Sequence, residues 1–154
     1  MKDPTRARWL AMGAVALLGL LAFLPAVGGA FVWDDVPLIL GNANVRAPAS
    51  LLELLATPFW DVSLGLEVGA DYAALHRPLV KLAYHLAFRA FGEAPGGYHW
   101  INLLLHAACV ALVFDHLLGR LDRADVAGLG AAGIGAALFA VHPTRVESVA
   151  WISG

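Results

Sequence analysis

Trp9–Ala30 reads WLAMGAVALLGLLAFLPAVGGA, a run of 22 residues without a charge. An α-helix rises 1.5 Å per residue, so this run reaches ~33 Å, enough for a hydrocarbon core of about 30 Å. Lys2, Arg6 and Arg8 precede it. Basic residues, then leucines, then LPAVGGA also fit a signal peptide with a small-residue cleavage region. The run is long for a signal core and further apolar runs follow, so we take it as a retained span, with the cleaved signal as the alternative.

The 154 residues are 60% apolar and 14% charged, against about 45–50% and about 25% in soluble domains. A water-soluble domain has nowhere to bury that much apolar surface, so the composition points to an integral membrane protein. A net charge of -2 gives no electrostatic basis for binding nucleic acid. Cys109 is the single cysteine. It forms no intrachain disulfide, and its apolar setting predicts a small buried hydrophobe.

Two more apolar runs follow, His99–Leu118 (HWINLLLHAACVALVFDHLL) and Val126–Val141 (VAGLGAAGIGAALFAV). The latter reaches only ~24 Å, and Phe139–Ala150 can extend it. Gly128, Gly130, Gly133 and Gly135 predict close packing against another helix. Arg120 and Arg123 sit in the short connection between these runs. Positive residues stay cytoplasmic, which places the N-terminus and this connection inside. Residues 31–98 then form a large periplasmic or lumenal loop, and residues 142–154 emerge on that same outer side. The expected fold is an all-α membrane protein of three transmembrane helices, about 9–30, 99–118 and 126–141, forming a single partial membrane domain.

The outer loop opens with FVWDD, in which Phe31, Val32 and Trp33 suit the interfacial belt. Asp34 and Asp35 follow at the rim, where carboxylates are costly to desolvate. A solvated turn after the helix end is the plainer reading of the pair. SLLELLATP predicts a short helix with a capping box from Ser50 and Glu53, limited by Pro58. TPFWD adds Phe59 and Trp60 as interfacial aromatics. HRPLVKLAYHLAFRAFGE predicts a second helix with Pro78 in its first turn. Arg77, Lys81, His85 and Arg89 recur every fourth residue on it, a pattern expected of an interfacial helix with cations toward phosphates. A charged face in water is the plainer reading. EAPGG ends this helix.

The second span carries His99, Asn102, His106, Cys109 and His116 within about 100° of arc. Such groups face a bundle interior or a wet cavity. For His106 the structural reading is a hydrogen bond to a neighbouring helix. Asp115 lies off the stripe, within reach of the interface or Arg120. No spacing specifies a metal, and an ion held by Asp34 or Asp35 with Glu147 is left open.

FVWDD, HRPLVKLAYHL, GYHWINLLLHA and LFAVHPTRVESVAWISG, in that order and spacing, resemble the N-terminal membrane part of the transmembrane and tetratricopeptide-repeat-containing O-mannosyltransferases. These are multispanning glycosyltransferases of the GT-C class. The resemblance covers roughly Phe31–Gly154 and is most specific in the closing motif. It implies a partial GT-C-like fold, and since family members continue into further spans and repeats, the chain reads as an N-terminal piece. The resemblance further implies a polyprenyl-phosphate donor carrying mannose and a protein Ser or Thr hydroxyl as acceptor. A base is then needed at the attacking hydroxyl, with Asp34 the first choice and Asp35 the second. Cations are needed at the departing phosphate, with Arg77, Lys81, His142 and Arg145 as candidates and Glu147 to orient one of them or the acceptor. A non-enzymatic three-span scaffold that binds a membrane partner is the alternative. A channel would need a second polar span.

Overall fold

The computed structural model describes residues 4–60, 75–121, 123 and 125–154. Lys2 of the basic tail and Asp61 of TPFWD lie outside the described residues. In chain order the elements are α1 (Pro4–Phe23), a 3-10 turn (Leu24–Gly28), a π-helical turn (Val36–Leu40), α2 (Ala43–Arg46), α3 (Leu51–Ala56), α4 (Pro78–Phe91), α5 (Pro95–Leu121), α6 (Val126–Val141) and α7 (Arg145–Ala150). All are helical, and no strand occurs among the described residues. Thr5–Gly28 and Pro95–Leu121 are long and apolar enough to cross a membrane, whereas Val126–Val141 is apolar but shorter. The chain divides into two compact units, Met1–Gly29 with His99–Ile152 and Gly154, and Ala30–Tyr98 with Ser153.

The first unit is a helical bundle whose directions follow from its contacts. Arg8 pairs with Asp115, Gly19 backs onto Val110 and His106, and the Phe23 ring meets His106 edge-on at 5.3 Å. As residue numbers rise along α1 they fall along α5, so the two helices are antiparallel. The same holds between α5 and α6, where Leu117 lies against Gly135 and His106 Nε2 bonds Ala140 O at 3.0 Å. Asp115 therefore takes Arg8 as its ion-pair partner in place of the expected Arg120, because the start of α1 and the end of α5 share one end of the bundle.

The close packing expected of the α6 glycines is carried mostly by alanines. Gly128, Ala132, Ala136 and Ala140 are the buried residues of α6. Their spacing of four keeps them on one face, and Ala132, Ala136 and Ala140 meet Val110, Phe114 and Leu118 of α5. A Cβ on Gly135 would come within 2.6 Å of Leu117, while Gly130 and Gly133 face open space. Cys109 is exposed rather than buried, and so is His116. Leu17, Leu21, Leu104, Leu112, Ile134 and Leu138 also face outward. Such an uncovered apolar surface is what a lipid-facing bundle presents.

The second unit packs α2, α3 and α4 around Leu38, Ile39, Val45, Leu54, Phe59, Tyr84 and Ala87. At the start of α3, Ser50 Oγ accepts the Glu53 N–H at 3.1 Å. The returning Glu53 carboxylate accepts from Ala49 N–H at 3.0 Å, one residue before the cap. Pro78 opens α4, where a missing N–H is harmless. Gly92 closes it in a left-handed conformation with φ +57° that only glycine adopts freely. A Cβ on Gly97 would fall 2.2 Å from the Phe91 ring, so the turn into α5 also needs glycine there.

One member of the expected cationic face of α4 points inward. Lys81, Tyr84 and Ala87 are its buried residues, while Arg77 and Arg89 are exposed, as are Leu79 at 77% and Leu86 at 57%. The reason lies at the end of α3, whose last carbonyls lack helical partners. Lys81 Nζ donates to Thr57 O at 3.1 Å, to Pro58 O at 3.1 Å and to the Thr57 hydroxyl. That hydroxyl in turn donates to Glu53 O at 2.8 Å. A cation at a helix C-terminus is favourable, and this one replaces the lipid phosphate expected for Lys81 with protein oxygens. His85 likewise donates Nδ1–H to Val45 O at 2.8 Å.

Candidate functional site

The acid pair lies in a tight turn of the second unit. Trp33 has φ +48°, a left-handed conformation that costs a bulky residue roughly 1–3 kcal/mol. It leaves the indole 85% exposed, as an interfacial aromatic would be. The turn is closed by Asp35 N–H to Val32 O at 3.0 Å and Val36 N–H to Trp33 O at 3.2 Å. The π-helical turn Val36–Leu40 follows, completed by Gly41 N–H to Val36 O at 2.8 Å.

The two carboxylates have different surroundings. Asp35 is fully buried. Its Oδ2 accepts Val32 N–H at 3.0 Å and its Oδ1 accepts Ser153 N–H at 2.9 Å. Both oxygens are thus occupied by backbone donors, as a buried charge requires. Asp34 is half-buried, and its carboxylate makes no hydrogen bond or ion pair among the described residues. Only Asp34 has a carboxylate free to take a proton from an incoming group.

Tyr84 was not singled out in the sequence, yet it lies beside this turn. Burial pushes its hydroxyl above the ordinary value near 10, the Asp35 charge pushes the same way, and Arg77 opposes both. Arg77 is exposed, with its guanidinium 5.3 Å from the centre of the Phe59 ring. Asp35, Tyr84, Phe59 and Arg77 thus form one neighbourhood, with Lys81 fastened to the end of α3.

The remaining candidates belong to the first unit. The Thr144 backbone N–H donates to His142 Nδ1 at 3.3 Å, and the Thr144 hydroxyl lies 2.9 Å from the same nitrogen. Arg145 donates to that hydroxyl at 3.2 Å and rests 4.9 Å from the centre of the Phe139 ring. An Nδ1 that accepts from the backbone leaves Nε2 as the ring's donor. The structure therefore links His142, Thr144 and Arg145 in a chain, and Thr144 is the member missed in the sequence. Glu147 is exposed and joins none of these contacts.

Arg145 also lines a cleft of about 180 Å³ with Asn102, Leu105, His106, Cys109, Phe139, Ser148 and Val149. Its Nε is buried without a hydrogen-bond partner among the described residues, an arrangement suited to an acidic ligand. Its lining combines the apolar Leu105, Phe139 and Val149 with the polar Asn102, Arg145 and Ser148. Asn102 helps build it by donating to Trp151 O at 3.1 Å and Ile152 O at 3.3 Å, which holds the chain end against α5. His106 spends Nε2 on Ala140 O and is stacked on Phe139 at 6.1 Å, so it is a packing residue. Among the described residues no group of three His, Cys, Asp or Glu side chains is placed to hold a metal ion.

Comparison with known proteins places this architecture among curated relatives. The chain is 36% identical over 93% of its length to the protein O-mannosyl-transferase Tmtc1 of Drosophila melanogaster. It is 36% identical over 92% to TMTC1 of Mus musculus, and 32% identical over 94% to TMTC4 of Homo sapiens, both also named protein O-mannosyl-transferases. The matched region is 16%, 15% and 20% of those proteins, so the chain spans a fifth of their length or less. No protein-family profile matches the chain, and no solved structure does.

Proposed function

Since the chain belongs, over the nine tenths of its length that these relatives match, to the family of protein O-mannosyl-transferases, we propose that it contributes the acid and phosphate-binding parts of a membrane glycosyltransferase. The donor in this reading is a polyprenyl-phosphate sugar, mannose by the relatives' name, and the acceptor is a protein Ser or Thr hydroxyl. The acceptor oxygen attacks the anomeric carbon as the bond from that carbon to the lipid phosphate oxygen breaks. Asp34 takes the hydroxyl proton, and the phosphate leaves as an anion that a guanidinium stabilises. A general base contributes about 10²–10⁴-fold, and a donor aimed at developing charge contributes about 10²–10³-fold.

The observation that carries this reading is the buried, unpartnered Arg145 Nε in a cleft with an apolar wall. A lipid-linked phosphate needs both features, a fixed donor for the anion and a channel for its chain. Arg77, exposed over Phe59, is the second candidate for the phosphate. His142 orients Arg145 through Thr144, and Glu147 is available to the acceptor. Asp35 sets the turn that presents Asp34. We further assign α6 as the third span, with the basic end near Arg8 and Arg120 cytoplasmic and the acid pair on the periplasmic or lumenal side. The pairing of Arg8 with Asp115 supports this by gathering the basic ends of α1 and α5.

The test measures mannose transfer from polyprenyl-phosphate-mannose to an acceptor peptide in membranes containing the protein, alongside its membrane abundance. Asp34→Asn removes transfer at unchanged abundance, whereas Asp35→Asn lowers abundance too. Arg145→Gln abolishes labelling by a photoactivatable polyprenyl phosphate. Equal loss of abundance and transfer in Asp34→Asn would make that residue a folding element and defeat the assignment.

A further inference from the structure

We propose that a basic groove in the second unit, formed by Arg46, His85 and Arg89, binds the phosphate group of an anionic membrane lipid. The groove has a volume of about 380 Å³ and is lined also by Pro48, Ser50 and Leu51, a size within the range of ligand sites. None of these three residues belongs to the acid turn or to the Arg145 cleft.

Arg46 and His85 are positioned by contacts with the protein, and Arg89 keeps its donors uncommitted among the described residues. Arg46 is steadied by donating one N–H to Leu40 O at 3.1 Å and by lying 5.2 Å from the centre of the Phe88 ring. Its remaining guanidinium donors face the groove and the solvent, with Glu93 3.6 Å away. Both members of that ion pair are exposed, so it is weak and leaves the positive field largely intact. His85 lines the groove with its Nδ1–H committed to Val45 O. Arg89 is exposed in the last turn of α4 and makes no hydrogen bond or ion pair among the described residues. Two guanidinium side chains lining one opening suit a phosphate better than isolated ammonium groups would.

The surroundings decide in favour of a lipid. Leu51 and Leu52 of α3 and Leu79 and Leu86 of α4 are exposed around the groove's own helices. A cationic opening beside uncovered leucines is the pattern of a surface that meets headgroups with its charges and acyl chains with its apolar residues. A free phosphate ion would use the arginines but gain nothing from the leucines.

The purified protein in detergent is titrated with phosphatidylglycerol, with phosphatidylcholine and with inorganic phosphate, reading bound lipid by native mass spectrometry and phosphate by calorimetry. Phosphatidylglycerol is retained over phosphatidylcholine. One basic residue near an anionic surface is worth about 1 kcal/mol, so Arg89→Gln weakens retention about fivefold and Arg46→Gln with Arg89→Gln about thirtyfold. Arg89→Lys, which keeps the charge but loses the planar fork, falls between the parent and Arg89→Gln. Because Arg89 makes no hydrogen bond or ion pair among the described residues, its variant tests the site even if Arg46→Gln disturbs the fold. Unchanged retention in Arg89→Gln overturns the proposal. So does binding of inorganic phosphate with no preference between the two lipids, which would make the groove a site for a soluble anion.

Discussion

Replacing Lys81 with methionine tests the orientation of α4 directly. The substitution keeps the aliphatic stem and removes the ammonium, whose three donors meet Thr57 O, Pro58 O and the Thr57 hydroxyl. The two carbonyls then lose their partner. An unsatisfied acceptor costs about 1–3 kcal/mol, and the lower end applies because both bonds are only partly buried. The hydroxyl keeps its own bond to Glu53 O and adds little. Against a loss of roughly 2–3 kcal/mol stands the relief of no longer burying a charge, which recovers part of it. The net expectation is about 2 kcal/mol, or roughly 4–8 °C in the melting midpoint of a chain of this size. Circular dichroism of the purified protein during heating reads this out, with Arg89→Gln as the reference, since an exposed residue changes stability by less than about 0.5 kcal/mol. If Lys81→Met melts with Arg89→Gln and its preference for anionic vesicles falls instead, Lys81 faces lipid and the inward orientation of α4 is wrong.

Three further outcomes follow from the packing. In the bundle, Gly135→Val drives a side chain into Leu117 and costs about 1–3 kcal/mol, whereas Gly133→Ala, on an open face, is neutral or mildly stabilising; detergent-denaturant titrations separate the two. His106→Leu deletes the bond to Ala140 O and costs about 1 kcal/mol or less, since interhelical polar bonds in membranes average ~0.6 kcal/mol; the same titration measures it. Asp125, which caps α6, has its carboxyl lowered to about 2, first by the Arg123 hydrogen bond and then by the Gly128 N–H. A depressed carboxyl stabilises the fold above its ordinary value near 3.8 and loses that contribution as pH falls through about 2. A carbon-detected titration of Asp125 should therefore find its midpoint well below 3.8, and one at the ordinary value would remove the pairing.

What could be read from the sequence divides along a physical line. The two long apolar helices, the Ser50–Glu53 cap, Pro78 at the start of α4 and the turn at EAPGG are set by local chemistry, and local chemistry is printed in order along the chain. The direction in which a face points is set by what another element offers it. Arg77, Lys81, His85 and Arg89 repeat with a period that says they share a face, but the period does not choose between phosphate outside and bare carbonyls inside. That choice was made by the end of α3, where Thr57 and Pro58 present oxygens in need of donors. Similarly, the glycines of α6 announced a close helix contact, yet the residues that make it are those at Gly128, Ala132, Ala136 and Ala140, because Val110, Phe114 and Leu118 of α5 arrive on that face. The two aspartates show the same limit at the candidate site. Adjacent in sequence and identical in chemistry, they part company only in the fold, where Val32 and Ser153 occupy both oxygens of Asp35 and leave Asp34 as the carboxylate with capacity to act. Arg46 carried no sequence signal at all, being one isolated cation in a loop. It gains meaning only when α2 packs on α4 and sets it beside Arg89.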